Sequence, residues 1–268
     1  DSEPETWNMD VHQIADRITS RTRAIMPVHI YGHPADMDPL MDLARGHDLV
    51  VIEDAAEAHG ARYRDRPVGG FGDAGVFSFY GNKIITTGEG GMVVTNRADT
   101  AQRARFLRDQ AMDQRRRYWH PEIGYNYRMT NIQAAIGVAQ LGRLPHFLAR
   151  KRAAAAGYAR RLQDVPGLTL HPEAPWAFCV YWMYSVLVGD DFGISRDRLA
   201  QILADRGVET RPFFPALPTL PPYGGSAGCP RAEDLADRGL NLPSSSQLTD
   251  EHLDYICEII GAARDQGR

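Results

Sequence analysis

No run of apolar residues approaches the ~20 that a bilayer-spanning helix needs, so nothing in the 268 residues reads as a membrane crossing. Cysteine is scarce. Cys179, Cys229 and Cys257 are odd in number, far apart and without C-x-x-C spacing. That argues against a disulfide framework or a zinc knuckle and makes a reducing cytoplasm the expected compartment. Positive charge is not in surplus either: 30 Lys and Arg against 34 Asp and Glu leave a formal net charge of −4. A general nucleic-acid binder needs the opposite balance on at least one face to neutralise phosphates. Neither a G-x-G-x-x-G after a strand nor a P-loop is present. No pair among His29, His33 and His59 has helical metal-ligand spacing, so no metal is expected.

What is there suits a globular protein: 43% hydrophobic residues are enough to bury a sizeable core. Between Ala24 and Thr95 short apolar runs alternate with helical spacing. Ala24–Ile30, Leu49–Ile52, Val76–Phe79 and Met92–Thr95 read as strands, and Asp38-Pro39 as the cap and first position of a helix closed by Gly46. Continuous apolar strands in strand–helix–strand order predict a mostly parallel sheet covered by helices, an α/β fold.

Helices are also expected near Asp10–Thr19 and over Arg97–Gln110. Thr130 to about Leu162 reads as one long helix broken near Pro145. Its first part (Ala134, Ala135, Ile136, Val138, Ala139, Leu141) is apolar enough to be buried or to form an interface. After Pro166-Gly167 the texture changes. A strand at Tyr181–Val188 is followed by a helix capped by Ser195 and a Pro-rich stretch from Arg211 to Gly225. A last helix, capped by Thr249, has Leu253, Ile256 and Ile260 on one face. The expected division is a large domain over residues 1–150 and a small α+β domain over 151–268.

Two stretches carry chemistry. Asp54 follows the apolar run Val51-Ile52, at the strand end where open α/β sheets bind ligands. Ser78 and Lys83 follow the next strand, with Gly88-Glu89-Gly90-Gly91 as a turn that lets backbone approach a ligand closely. Asp54 and Lys83 are 83 − 54 = 29 residues apart, about one crossover unit, so both can lie at one sheet edge. Such a pair suits pyridoxal phosphate. A desolvated Lys amine condenses with the aldehyde, and a carboxylate opposite keeps the ring nitrogen protonated. Ser78 could donate its hydroxyl to the phosphate. Taken singly, Asp54 also reads as a helix N-cap and Lys83 as a solvated charge. Arg211 reads either as a fork for a diphosphate or carboxylate or as a surface ion pair. Arg115–Arg117 reads as a solvated loop or a contact for nucleotide phosphate.

Five segments together are more specific than any one: Pro27–Gly32, Glu53-Asp54-Ala55-Ala56-Glu57-Ala58-His59-Gly60, Ser78–Gly91, Gly124–Met129 and Glu209–Phe214. In this order they resemble the DegT/DnrJ/EryC1/StrS family of sugar-nucleotide aminotransferases, over essentially the whole chain. The resemblance implies a fold type I pyridoxal phosphate transferase in which Lys83 is the catalytic lysine that carries the cofactor. It further implies that Asp54 pairs with the ring nitrogen, Glu57 lies near the ring and its 3′-oxygen, and Ser78 binds the phosphate. Asn126 would reach the cofactor phosphate of a neighbouring subunit, which implies a homodimer with shared sites; a plainer reading makes it a cap for the helix near Thr130. Tyr80 and Arg211 lie in stretches that resemble substrate-binding segments of members acting on a GDP-linked 4-keto-6-deoxy sugar with glutamate as donor.

A lysine rather than a histidine at position 83 favours transamination over 3-dehydration. The alternatives are a dehydratase of the same fold and a catalytically incompetent truncated remnant. The family pattern also leads us to expect about a hundred residues before Asp1, bearing a phosphate-binding helix N-terminus and an aromatic that stacks on the ring.

Overall fold

In the computed structural model, which describes residues 1–225 and 228–266, the apolar runs of the first half form a four-stranded sheet. Its strands are β1 (Ala24–Ile25), β2 (Val50–Asp54), β5 (Ala74–Ser78) and β6 (Gly91–Val94); β3 (Arg62–Tyr63) and β4 (Arg66–Pro67) pair as a hairpin between them. β1, β2 and β5 are parallel, and β6 returns antiparallel to β5. The strand expected over Ala24–Ile30 stops at Ile25, because Pro27 has no N–H to give a ladder. The chain still runs beside β2: Pro27 accepts from the Asp54 amide, and His29 donates to the Asp54 carbonyl.

α1 (Met37–Gly46) buries Met37, Leu40 and Ala44. Its cap position is Asp36 rather than Asp38, and the capping is done by a tyrosine. Tyr63 Oη donates to Asp36 at 2.7 Å and accepts from the Asp38 amide at 3.3 Å. The helix expected near Asp10–Thr19 is instead two 3-10 turns, Val11–Gln13 and Ala15–Arg17. α2 (Ala98–Arg108) buries none of its residues.

The long helical stretch does break, at Arg143, into α3 (Asn131–Gly142) and α4 (Leu144–Leu162), with Pro145 in the first turn of α4 where its missing N–H is harmless. Thr130 and Gln133 close the start of α3 as a capping box. The helix cap is therefore Thr130 and not Asn126.

The second half forms another sheet. β7 (Leu168–Leu170), β9 (Tyr184–Val188), β10 (Arg211–Pro212) and β11 (Gly239–Leu242) are antiparallel in the order β10-β11-β9-β7. β9 starts at Tyr184 rather than Tyr181, where the backbone turns through φ 48°. α4, α5 (Arg196–Asp205) and α7 (Asp250–Gln266) contribute Tyr158, Leu199, Leu203, Ile256 and Ile260 to a core shared with Val186 and Leu240. α6 (Pro230–Arg238) adds Leu235 to a separate cluster with Trp7, Tyr31, Trp182, Leu187 and Phe213.

Two features bring the halves together at the site. β8 (Ala177–Phe178) pairs with β3, and Val180 joins the core of the first half. The cluster around Tyr31 and Trp182 then draws residues from both halves to the carboxyl end of the first sheet. Among the described residues, no helix is long and apolar enough to cross a membrane.

Candidate active site

β2 ends in two adjacent acids with different surroundings. Glu53 is fully buried and accepts from the amides of Gly69 (2.6 Å), Phe71 (2.6 Å) and Gly72 (2.8 Å). His29 adds a contact at 3.2 Å; its Nδ1 accepts from the Ala35 amide, which leaves the proton on Nε2 to be donated to Glu53. Burial alone would raise the Glu53 carboxyl, but His29 and the amides outweigh it and hold the group below its ordinary range. Gly75 must be glycine here, because a Cβ would sit 2.3 Å from the Gly69 carbonyl in the loop that encloses Glu53. This knot fixes the end of β2, and so the direction in which Asp54 leaves the sheet.

Asp54 accepts from the Ala56 amide at 3.0 Å. Turns rather than a helix follow it, so the N-cap reading does not apply. Glu57 is buried; one carboxylate oxygen accepts from the Tyr31 amide at 2.8 Å and the other lies 3.7 Å from Lys83 Nζ. Burial pushes the Glu57 carboxyl up to about 7, although the charge of Lys83 opposes the shift. Burial likewise brings the Lys83 ammonium below its ordinary range, opposed by Glu57 and then Asp54. The three residues thus share one electrostatic neighbourhood, in which burial weakens the charged form of both the Lys83 amine and the Glu57 acid. Lys83 is no solvated surface charge. Its side chain is 12% exposed and its Nζ lies 3.9 Å from the centroid of the Trp182 ring.

The loop that carries Lys83 is tied at both ends. Phe79 donates its amide to Gly90 and accepts from the Thr87 amide and the Thr86 hydroxyl, while Lys83 N donates to the Tyr80 carbonyl. Gly90 has φ +150°, and a Cβ there would lie 2.5 Å from Thr87 Oγ1, so the turn requires glycine. Trp182 Nε1 donates to the Asn82 carbonyl at 2.9 Å and holds the residue before Lys83 from the opposite half of the chain.

The remaining candidates lie at different distances from this centre. Ser78 ends β5, and its hydroxyl accepts from the Tyr80 amide at 3.2 Å. Tyr80 is half exposed. Arg211 lines a cleft that also contains Asn82 and Trp182, and its nearest acid is Glu209 at 3.5 Å. Asn126 is not brought to Lys83 by any contact within the chain; it sits on an exposed strand-like stretch bridged to Asp109. Arg115–Arg117 are exposed.

Sequence reasoning missed Trp182, Tyr31 and the Glu53–His29 pair. For Trp182 there was no local signal, since its role depends on a contact across 100 positions. His29 was legible only as a buried histidine with a partner, and the structure supplies that partner.

Pyridoxal phosphate needs an amine of lowered basicity, a carboxylate for the ring nitrogen and room between flat groups. The chain supplies the first two as Lys83 and Asp54. It also leaves His59 buried beside Phe77 and Phe79, with both ring nitrogens unpartnered among the described residues. Burial, followed by the Lys83 charge, takes His59 down to about 4, so its imidazole is neutral. An orphaned polar ring next to the lysine fits a site completed by a polar ligand. The residues present fit the cofactor.

The DegT/DnrJ/EryC1/StrS aminotransferase family matches residues 1–261. A GDP-perosamine synthase of Escherichia coli O157:H7 is 48% identical over 97% of this chain and 71% of its own length. Another, from Caulobacter vibrioides, is 46% identical over 99% of this chain and 71% of its own. The chain belongs to the DegT/DnrJ/EryC1/StrS aminotransferase family. Among solved structures, DesV of S. venezuelae superposes with a TM-score of 0.90 at 36% identity, covering 98% of this chain and 71% of that one. The expected α/β architecture is therefore that of a fold type I aminotransferase, and the chain is an enzyme of that class.

Proposed function

We propose that the protein uses pyridoxal 5′-phosphate to move an amino group from glutamate to the 4-keto carbon of a GDP-linked 4-keto-6-deoxymannose, yielding GDP-perosamine for surface polysaccharide or glycoside biosynthesis. The observation that carries this reading is the sheltered Lys83 amine, 3.7 Å from Glu57. It occurs in a chain whose relatives at 46–48% identity bear the name GDP-perosamine synthase. A histidine at position 83 would favour the dehydratase reading; the lysine supports transamination.

When bound, the cofactor supplies an electron sink that stabilises negative charge at the substrate carbon. Lys83 Nζ holds and delivers the proton that must leave one carbon and arrive at another, and its lowered basicity suits it to both tasks. Glu57, poised near neutrality beside Nζ, takes up or returns the compensating proton. Asp54 would hold the ring nitrogen of the cofactor as its carboxylate partner. The indole of Trp182 excludes water from one side of the amine. Ser78 would offer a hydroxyl to the phosphate, while Tyr80 and Arg211 would hold the nucleotide sugar.

The enzyme works as a homodimer in this reading. α3 exposes the apolar side chains of Ile132 (76%), Val138 (74%) and Leu141 (57%), which a second copy would cover. Asn126 then serves the partner's site rather than its own. The chain divides functionally into a cofactor-binding part over 1–150 and a smaller part over 151–268. Three free cysteines suit the reducing cytoplasm.

The test is a panel of GDP-, UDP- and dTDP-linked 4-keto-6-deoxy sugars incubated with glutamate and resolved by mass spectrometry. An amino sugar formed from the GDP substrate is expected. Loss of oxygen without gain of nitrogen would instead identify a dehydratase.

A further inference from the structure

Of the 30 basic residues, 28 are arginine and two are lysine, Lys83 and Lys151. Arginine provides permanent charge, whereas an ammonium is compact and changes protonation readily when buried. Lys83 is explained by the active site; Lys151 is not. It projects from α4, is 9% exposed, and its Nζ donates to the Ser244 carbonyl at 2.5 Å. Burial pushes its ammonium down to about 8, and no acid opposes the shift. A buried cation without a counter-charge is unfavourable unless something else supplies one.

Lys151 lines a cleft of about 650 Å³ that it shares with Asn82, Trp182, Arg211, Asn241 and His252. The cleft is therefore lined in part by the indole that lies over Lys83. Arg211 is the second cation on the cleft. Its pairing with Glu209 at 3.5 Å is solvent-exposed on both sides and yields readily to a better partner. Lys151 is not needed to fasten α4 to the loop after β11, because Arg150 already donates to the carbonyls of Ser246 and Leu248.

We propose that Lys151 and Arg211 together form a binding site for an oxyanion, a carboxylate or phosphate group of a ligand whose other end reaches Lys83. The ligand completes the missing charge through charge-assisted hydrogen bonds. Its two sources are the side-chain carboxylate of the amino donor and the diphosphate of the nucleotide sugar. Assigning the oxyanion to a substrate rests on the aminotransferase reading; the existence of the site does not.

With only two lysines, the full chain loaded with pyridoxal phosphate and labelled with 13C at lysine Cε gives one NMR signal for each. One arm receives 2-oxoglutarate and the other GDP. The effective ligand is expected to raise the titration midpoint of Lys151 by about one pH unit, as an opposite charge within ~4–6 Å does. Reading Lys151 itself separates the effect from Glu209, His252 and Tyr255, the other titratable groups on the cleft beside Arg211. A shift with either ligand supports the site and identifies the source; no shift with either overturns it. In a folded Lys151→Met variant the effective ligand should bind at least about tenfold more weakly by calorimetry, with partial recovery in Lys151→Arg. Unchanged affinity in Lys151→Met also overturns the proposal. Should that variant not fold, the titration of the native chain decides. The Lys83 signal, which responds to the cofactor, reports separately on the aminotransferase reading.

Discussion

Lys83 Nζ and Glu57 Oε1 stand 3.7 Å apart, with 12% and 10% of their side chains exposed. Burial disfavours the charged form of each, raising the acid and lowering the amine. Replacing Lys83 with Ala is expected to remove both turnover and the yellow absorbance of the loaded enzyme. Retained turnover with glutamate and the keto sugar would exclude Lys83 as the catalytic amine.

Glu57 also predicts a pH dependence of stability. Its folded value, about 7, lies above its ordinary 4.5, so between these limits the folded state binds the extra proton. Stability from this group is therefore full below about 4.5 and is lost as pH rises towards 7, by roughly 3 kcal/mol at most, the opposing Lys83 charge included. Glu57→Gln should flatten that slope, as read from urea unfolding at pH 5, 6 and 7. An unchanged slope would mean that the carboxyl titrates normally.

The Glu53–His29 knot should matter more to folding than to chemistry. Glu53→Gln replaces an acceptor of three amides and an imidazole with a group that is half donor, and is expected to cost about 3–5 kcal/mol. Denaturant midpoints measure this. A loss below 1 kcal/mol would show that the loop 69–72 rearranges freely.

A charge placed on the exposed face of α3 tests the homodimer. Val138→Asp leaves the single chain intact, because position 138 is 74% exposed, but it should dissociate a dimer built on that face. Sedimentation velocity distinguishes the outcomes. A dimer unaffected by the change must use another surface.

Gly90→Ala is expected to weaken cofactor retention while sparing the cores. The new Cβ would meet Thr87 Oγ1 at 2.5 Å and disturb the turn that carries Lys83. Equilibrium dialysis against pyridoxal phosphate, beside a thermal melt, separates the two effects.

Local chemistry explains which of these features the sequence disclosed. The parallel strands, the Pro145 break, the Ser195 cap and the placement of Asp54 and Lys83 beyond apolar runs all depend on residues within a few positions of each other. The Ala24–Ile30 strand was overextended because its apolar pattern hid the effect of Pro27 on a ladder. The α1 cap was misassigned because Tyr63, 25 positions beyond Asp38, took the role that a local side chain was expected to fill. Trp182 over Lys83 and the unpaired Lys151 depend on packing between distant segments, for which spacing carries no signal.

The indole that shelters Lys83 comes from residue 182, nearly a hundred positions downstream. A nascent chain therefore presents its reactive amine to water, with the ordinary basicity of a free lysine, until the later half has docked. Reactivity is gained at the last stage of folding, which ties chemical competence to completion of the whole architecture.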